Sequence, residues 1–269
     1  METPAALGII AGSGIYPLLL AESARRAGVQ KIVAAAFTGE TEPALAQRVD
    51  QIDWMRVGQL GRLLQCFRDT GVRHAIMAGQ IAPGNLFNLR PDVKALLLLA
   101  RVQQRNAETL FGAIADELAA NGVELLPATT FLDDHVAPAG LIAGREPNRR
   151  EHADIAYGFD LAKKVSKLDI GQTVVVRNGT IVAVEAFEGT NEAIKRGGAL
   201  ARKGAVVVKV SKPNQDMRFD VPVIGPATLA IAAAANVRVI AVEAGRTLLL
   251  EKDELRAVAG RAGISIVGI

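Results

Sequence analysis

A single cysteine, Cys66, is found among 269 residues. Neither an intrachain disulfide nor a thiolate zinc site can be built from it, and this usage suits a reducing compartment. Aromatic residues make up only 4% of the chain, which argues against the stacking platforms used for single-stranded nucleic acid. The three histidines, His74, His135 and His152, are dispersed and form no HxH or HExxH spacing. A histidine zinc centre is therefore not expected. Gx4GK[ST] and GxSxG are both missing, which disfavours a P-loop NTPase and an α/β-hydrolase. No basic segment leads into an apolar run at the N-terminus, so no secretory signal is expected. Apolar runs such as Ala95–Ala100 and Leu229–Ala235 are far too short to span a bilayer. The net charge is only +3 and the basic residues are scattered. That balance is compatible with an anionic small substrate or membrane surface and does not demand nucleic acid. The expectation is a cytoplasmic enzyme, with peripheral contact at the inner membrane surface left open.

Half of the chain is apolar and 22% is charged, as in a globular protein with a large aliphatic core. The first half alternates short apolar strands with amphipathic helices: Ala6–Ala11, Pro17–Ala27, Lys31–Ala36, Ile52–Val57, Leu60–Thr70 and Arg73–Ala78. This order predicts a Rossmann-like, parallel α/β domain over residues 1–132. Residues 133–148 read as a linker, because breakers dominate and periodicity is lost. Residues 149–269 read as a second, mixed α/β domain. In it, Asn178-Gly179 between two apolar runs predicts a hairpin.

The richest stretch is Lys209–Thr228, KVSKPNQDMRFDVPVIGPAT. Cations and carboxylates crowd between a buried strand and a Gly-Pro turn. Such a set suits a phosphate substrate with a metal ion. Asp220 is the carboxylate expected to bind a divalent metal or orient a water, with Lys209, Lys212 and Arg218 adding positive charge. The plainer alternative for Asp220 is a surface ion pair with Arg218. Gly12-Ser13-Gly14 follows the first strand, where backbone N–H groups can hold phosphate. A dinucleotide fingerprint fails there, since Pro17 stands where the third glycine belongs. The plainer alternative is a tight turn that needs glycine. Glu188-Gly189-Thr190 precedes a helix. It reads either as capping, with Thr190 as the N-cap, or as a polar wall of a site. Cys66 reads as a small core residue, and His152 as a capping residue.

These residues resemble those of the LpxI-type UDP-2,3-diacylglucosamine pyrophosphatases. The likeness runs from Leu7-Gly8-Ile9-Ile10-Ala11-Gly12-Ser13-Gly14 through Met77-Ala78-Gly79-Gln80-Ile81 and Arg90-Pro91-Asp92. It continues at Glu151-His152-x-Asp154-Ile155, Leu168-Asp169-Ile170-Gly171-Gln172 and Glu185-Ala186-x-Glu188-Gly189-Thr190. Lys209-x-x-Lys212-Pro213-x-Gln215 and Asp220-x-Pro222-x-Ile224-Gly225-x-x-Thr228 complete it. The resemblance implies hydrolysis of UDP-2,3-diacylglucosamine to UMP and 2,3-diacylglucosamine 1-phosphate, a step of lipid A synthesis. It also implies Mg²⁺, with Mn²⁺ as the substitute, and a key aspartate at Asp220. The substrate is a lipid-linked sugar nucleotide, and a homodimer is left open.

On this reading Asp220, Lys212 and Arg218 are catalytic, with Asp220 the metal ligand. Gly12, Ser13, Gly14, Gln172, Glu188, Gly189, Thr190, Lys209, Gln215 and Thr228 contact substrate. One departure stands out: Asn106-Ala107-Glu108 replaces the family's Gly-Asp-Asp. Two rival functions are a non-catalytic sugar-nucleotide or lipid carrier and a nicotinamide-dependent oxidoreductase, the latter disfavoured by the failed fingerprint.

Overall fold

The computed structural model describes residues 3–81, 91–102 and 107–269, so Asn106 lies outside the described residues, as do the side chains of Ala107 and Glu108. The chain forms two compact units. One comprises Met1–Asp133 with Asp216–Asp220, and the other Asp134–Gln215 with Val221–Ile269.

In the first unit the elements are β1 (Ala6–Ala11), α1 (Tyr16–Arg26), β2 (Lys31–Phe37), β3 (Gln51–Met55), α2 (Leu60–Thr70), β4 (His74–Ala78), α3 (Val93–Arg101), α4 (Ala107–Ala120) and β5 (Glu124–Leu125). The described strands make one five-stranded sheet of order β3-β2-β1-β4-β5, parallel throughout. Strands β1 and β2 are buried along nearly their whole length. Covered on both faces, they need the unbroken apolar runs seen in the sequence rather than an alternating pattern. Leu63, Leu64 and Phe67 of α2 pack into this core, and Gly71 closes the helix in the left-handed conformation. Burial pushes the Cys66 thiol up to about 11, so it stays protonated in the core, as its position in the sequence predicts.

The strand order reverses between β1 and β4, the place where open α/β sheets bind ligands. Gly12 and Gly79 sit there because two backbones nearly touch. A Cβ on Gly12 would lie 2.5 Å from the Gln80 carbonyl oxygen, and one on Gly79 would lie 2.5 Å from that of Ser13. Gly12→Ala is expected to cost about 1–3 kcal/mol, the usual range for overpacking against a part that cannot yield. Urea titration of the two proteins checks this. An unchanged midpoint would mean that the Gln80 segment gives way freely.

In the second unit the elements are β6 (Gly140–Ala143), α5 (Arg149–Lys167), β7 (Thr173–Arg177), β8 (Thr180–Val184), α6 (Thr190–Ala201), β9 (Ala205–Lys209), β10 (Val223–Ile224), α7 (Pro226–Ala234), β11 (Val237–Val242), β12 (Leu248–Leu249), α8 (Lys252–Ala262) and β13 (Ser265–Gly268). Six described strands form a mixed sheet of order β6-β13-β11-β9-β7-β8, while β10 and β12 pair separately. Alternate residues of the sheet face opposite cores. Val175, Val207 and Ile240 pack with α6, α7 and α8. Val174, Val206 and Val239 pack with Ile155 and Ala162 of α5.

The hairpin at Asn178-Gly179 is present. Both residues have positive φ, and the Asp154 carboxylate accepts their N–H groups at 2.8 and 2.6 Å. The stretch expected as a linker carries β6, which adds antiparallel to β13 as an edge strand. Its four residues are too few to show periodicity. Helix α5 is capped by Asn148, whose side chain accepts from the Arg150 and Glu151 N–H groups while Glu151 reaches back to Asn148. His152 was the expected cap, but it sits one turn too late to accept those bonds. No described helix is long and apolar enough to cross a membrane.

Candidate functional site

In the second unit, β9 and β11 run parallel and β7 runs against β9, so the exits of β9 and β11 meet the start of β7. Polar residues that are far apart in sequence gather at this edge. Lys209 ends β9 with its side chain buried. Its ammonium donates to the Thr190 hydroxyl and to the Val223 carbonyl, both at 3.1 Å. The Thr190 hydroxyl in turn donates to Glu185 at 2.9 Å, and Glu185 is itself buried. The other Glu185 oxygen accepts the Gln172 N–H at 3.4 Å. Gln172 also accepts the Val210 N–H through its main-chain carbonyl and approaches the Gln215 amide at 3.5 Å. Gln215 folds back to accept the Lys212 N–H at 2.7 Å, and the Lys212 ammonium reaches Asp169.

Gln172, Thr190, Lys209, Lys212 and Gln215, all expected at the site, therefore share one hydrogen-bonded network. Glu185 is the member that sequence reasoning passed over. Of Glu185 and Glu188, the structure turns Glu185 inward. Glu188 instead bonds Arg196 at 2.6 Å and its own loop at the Ala186 N–H. Arg196 holds the Glu188 carboxyl below the usual carboxylate range. Gly189, not Thr190, occupies the N-cap position of α6. Its left-handed backbone makes the turn, and that releases the Thr190 hydroxyl to Lys209 and Glu185. Thr228 lies half-buried in the first turn of α7.

Asp216–Asp220 belongs to the first unit although it interrupts the motif of the second. Phe219 explains why: it packs against that unit's core, with its ring 5.7 Å from that of Phe111. Met217 adds a main-chain bond from the Ala128 N–H at 2.7 Å. The segment is a turn in which the Phe219 and Asp220 N–H groups both donate to the Asp216 carbonyl. Arg218 forks onto the Asp216 carboxylate, with contacts from 2.6 to 3.1 Å. The expected alternative for Asp220, an ion pair with Arg218, is thus replaced by Arg218–Asp216. The guanidinium holds the Asp216 carboxyl below its ordinary range. Asp220 is half-buried.

In the first unit the Gly12-Ser13-Gly14 turn is tied into the sheet. The Gly12 N–H donates to the Ala78 carbonyl and the Ser13 N–H to the Gln80 carbonyl, each at 2.7 Å. The Ser13 hydroxyl donates to the same Gln80 carbonyl at 2.9 Å. Those donors serve the β1–β4 junction, so the turn does not offer the N–H groups of residues 12 and 13 to a phosphate. Nearby, an apolar pocket of about 790 Å³, its open mouth included, is lined by Ile10, Leu63, Met77, Leu98, Phe111 and Ile114 among others.

Among the described residues no three His, Cys, Asp or Glu side chains converge on a metal position. Magnesium does not need such a cage. It is commonly held by one or two carboxylates, with substrate phosphates and water completing the shell. A half-buried carboxylate such as Asp220 fits that mode.

The chain matches two family models end to end, the LpxI N-terminal domain over residues 6–135 and the LpxI C-terminal domain over residues 138–267. It is 30% identical to the UDP-2,3-diacylglucosamine pyrophosphatase LpxI of Caulobacter vibrioides, covering 98% of this chain and 97% of that protein. Two solved structures share far less. The biotin carboxylase domain of Hydrogenobacter thermophilus 2-oxoglutarate carboxylase is 11% identical at a TM-score of 0.29, over 67% of this chain and 36% of that one. Phosphoribosylglycinamide synthetase of Anaerococcus prevotii is 12% identical at a TM-score of 0.25, over 70% and 42%. The chain thus spans well under half of either structure, and neither likeness bears on its chemistry.

Proposed function

The chain belongs to the LpxI family, and from that premise we propose that it hydrolyses the pyrophosphate of UDP-2,3-diacylglucosamine to UMP and 2,3-diacylglucosamine 1-phosphate. The observation that carries this reading is collinearity. A named pyrophosphatase aligns over 98% of the chain, and that span includes every member of the Gln172–Glu185–Thr190–Lys209–Gln215 network. The reaction moves negative charge onto the phosphate oxygens and the leaving UMP. Lys209 and Lys212 are the cations of the second unit held for that purpose, Lys209 from a buried position where its charge is poorly screened. Glu185 and Thr190 keep its ammonium aimed. The apolar pocket of the first unit is suited to an acyl chain, since its walls offer aliphatic and aromatic surface.

Asp220 would hold a magnesium ion, whose charge neutralises phosphate oxygens when it is bound. Manganese is the substitute. Because the substrate is a lipid, the reading places the enzyme at the cytoplasmic face of the inner membrane as a peripheral protein.

The test is UMP release from UDP-2,3-diacylglucosamine in detergent micelles, with Mg²⁺, with EDTA, and with Mg²⁺ restored. The expected result is turnover that EDTA abolishes and Mg²⁺ recovers. Turnover indifferent to EDTA would remove the metal from the proposal and leave the reaction standing. Tight substrate binding without UMP release would favour a carrier.

A further inference from the structure

Ser211 sits between the two lysines, and its main chain is gripped from two other elements. Glu243 follows β11 directly. One of its carboxylate oxygens accepts both the Ser211 N–H at 2.7 Å and the Ser211 hydroxyl at 2.8 Å. Lys163, from α5, donates to the Ser211 carbonyl at 2.9 Å and to both Glu243 oxygens at 2.8 Å. The Glu243 N–H also donates to the Lys209 carbonyl at 3.2 Å. Burial opposes the charge on Glu243, yet Lys163 and Ser211 hold its carboxyl below the ordinary range. Side-chain exposures of 27% for Lys163 and 14% for Glu243 place the pair largely out of solvent. Arg246 stands at 4.0 Å from Glu243.

This investment has no counterpart in packing. A stretch whose only task was to leave β9 would be stable with apolar side chains, and a shielded ion pair is seldom a net source of stability. The clamp instead fixes one residue, and the cations at either side of that residue are those assigned to the phosphates. We infer that Glu243, set by Lys163, is a positioning residue that aims Lys209 and Lys212 through the backbone of Ser211. The inference rests on the proposed pyrophosphatase reaction for its kinetic consequence, but not for its structural one.

The near-isosteric Glu243→Gln removes the carboxylate charge and one of its two acceptors, so an NH2 donor must face either the Lys163 ammonium or the Ser211 N–H and hydroxyl. The expected kcat for UMP release falls about 10²-fold, the size of effect that misplacing reacting groups by about an ångström produces. KM should change by less than about threefold, because the loss lies in orientation rather than in binding. Hydrogen exchange in the peptide spanning residues 209–215 should rise at least about tenfold, with the rest of the unit unchanged. Should Glu243→Gln fold poorly, the double variant Lys163→Gln/Glu243→Gln removes both charges together. It should keep the wild-type melting temperature while still losing kcat and exchange protection. Ser211→Ala keeps the N–H anchor and should retain kcat within about threefold.

Wild-type kcat and wild-type exchange over 209–215 in both Glu243→Gln and the double variant would overturn the inference. So would a lowered melting temperature with kcat intact, which marks a purely structural pair. If wild type itself released no UMP, the reaction assignment would fall separately, and the exchange data would still decide whether the clamp holds the segment.

Discussion

Asp220→Asn is expected to lower UMP release by about 10²–10³-fold, the usual loss when a preorganised charge at a reacting phosphoryl group is removed. The substitution keeps the size and the backbone of the residue. The turn that carries Asp220 is held by its N–H bond to the Asp216 carbonyl at 3.0 Å and by Phe219 against Phe111, neither of which involves the carboxylate. Thermal melts of the two proteins measure any stability that the carboxylate itself supplies, so rates are compared at temperatures where both are fully folded. Steady-state rates over a range of Mg²⁺ concentrations separate two roles. If Asp220 holds the ion, the variant needs far more Mg²⁺ and recovers part of its rate when supplied with it. If Asp220 orients water, the rate stays low at every concentration. A variant as active as wild type under all conditions would take Asp220 out of the mechanism, and attention would move to Asp216 and Arg218.

Lys209→Met should be the second large effect, again about 10²-fold or more in kcat. Methionine preserves the apolar stem within the β9 exit and deletes only the ammonium. That group donates to Thr190 and Val223, and its loss leaves two half-buried acceptors without this donor. The expected stability cost is therefore about 1–3 kcal/mol in a chemical denaturation experiment. Activity should fall by much more than that cost alone would imply at temperatures where the variant is fully folded. Equal turnover by folded Lys209→Met and wild type would show that the ammonium serves the fold and not the substrate. The comparison also bears on Glu185: if the network acts as a unit, Glu185→Gln combined with Lys209→Met should be no worse than Lys209→Met alone.

Much of this was open to reading from residues alone. The N-terminal parallel sheet was legible because strands covered on both faces must be apolar throughout, and the helices between them carry a 3.6-residue period. The hairpin at Asn178-Gly179 was legible because few dipeptides tolerate two positive φ values in succession. The density of charge between Lys209 and Asp220 marked the candidate site, since a loop that needs only solubility has no use for it. Strand β6 escaped because a four-residue edge strand has too little pattern to register. Glu243 and Lys163 escaped for another reason: one looks like an ordinary charge just past a strand and the other like one within a helix, and nothing local ties either to Ser211.

Composition, periodicity and short-range chemistry thus pointed to the two α/β folds and to a candidate site, while the run of matching motifs carried the family resemblance. Partnership was left to the tertiary structure. It turned Arg218 to Asp216, spent the Gly12 and Ser13 donors on the Gln80 segment, chose Glu185 over Glu188, and assigned Asp216–Asp220 to the first unit through Phe219. The reason is physical: a side chain's secondary structure is set by neighbours a few residues away, whereas its hydrogen-bond partner is whichever polar group the folded backbone brings within about 3 Å.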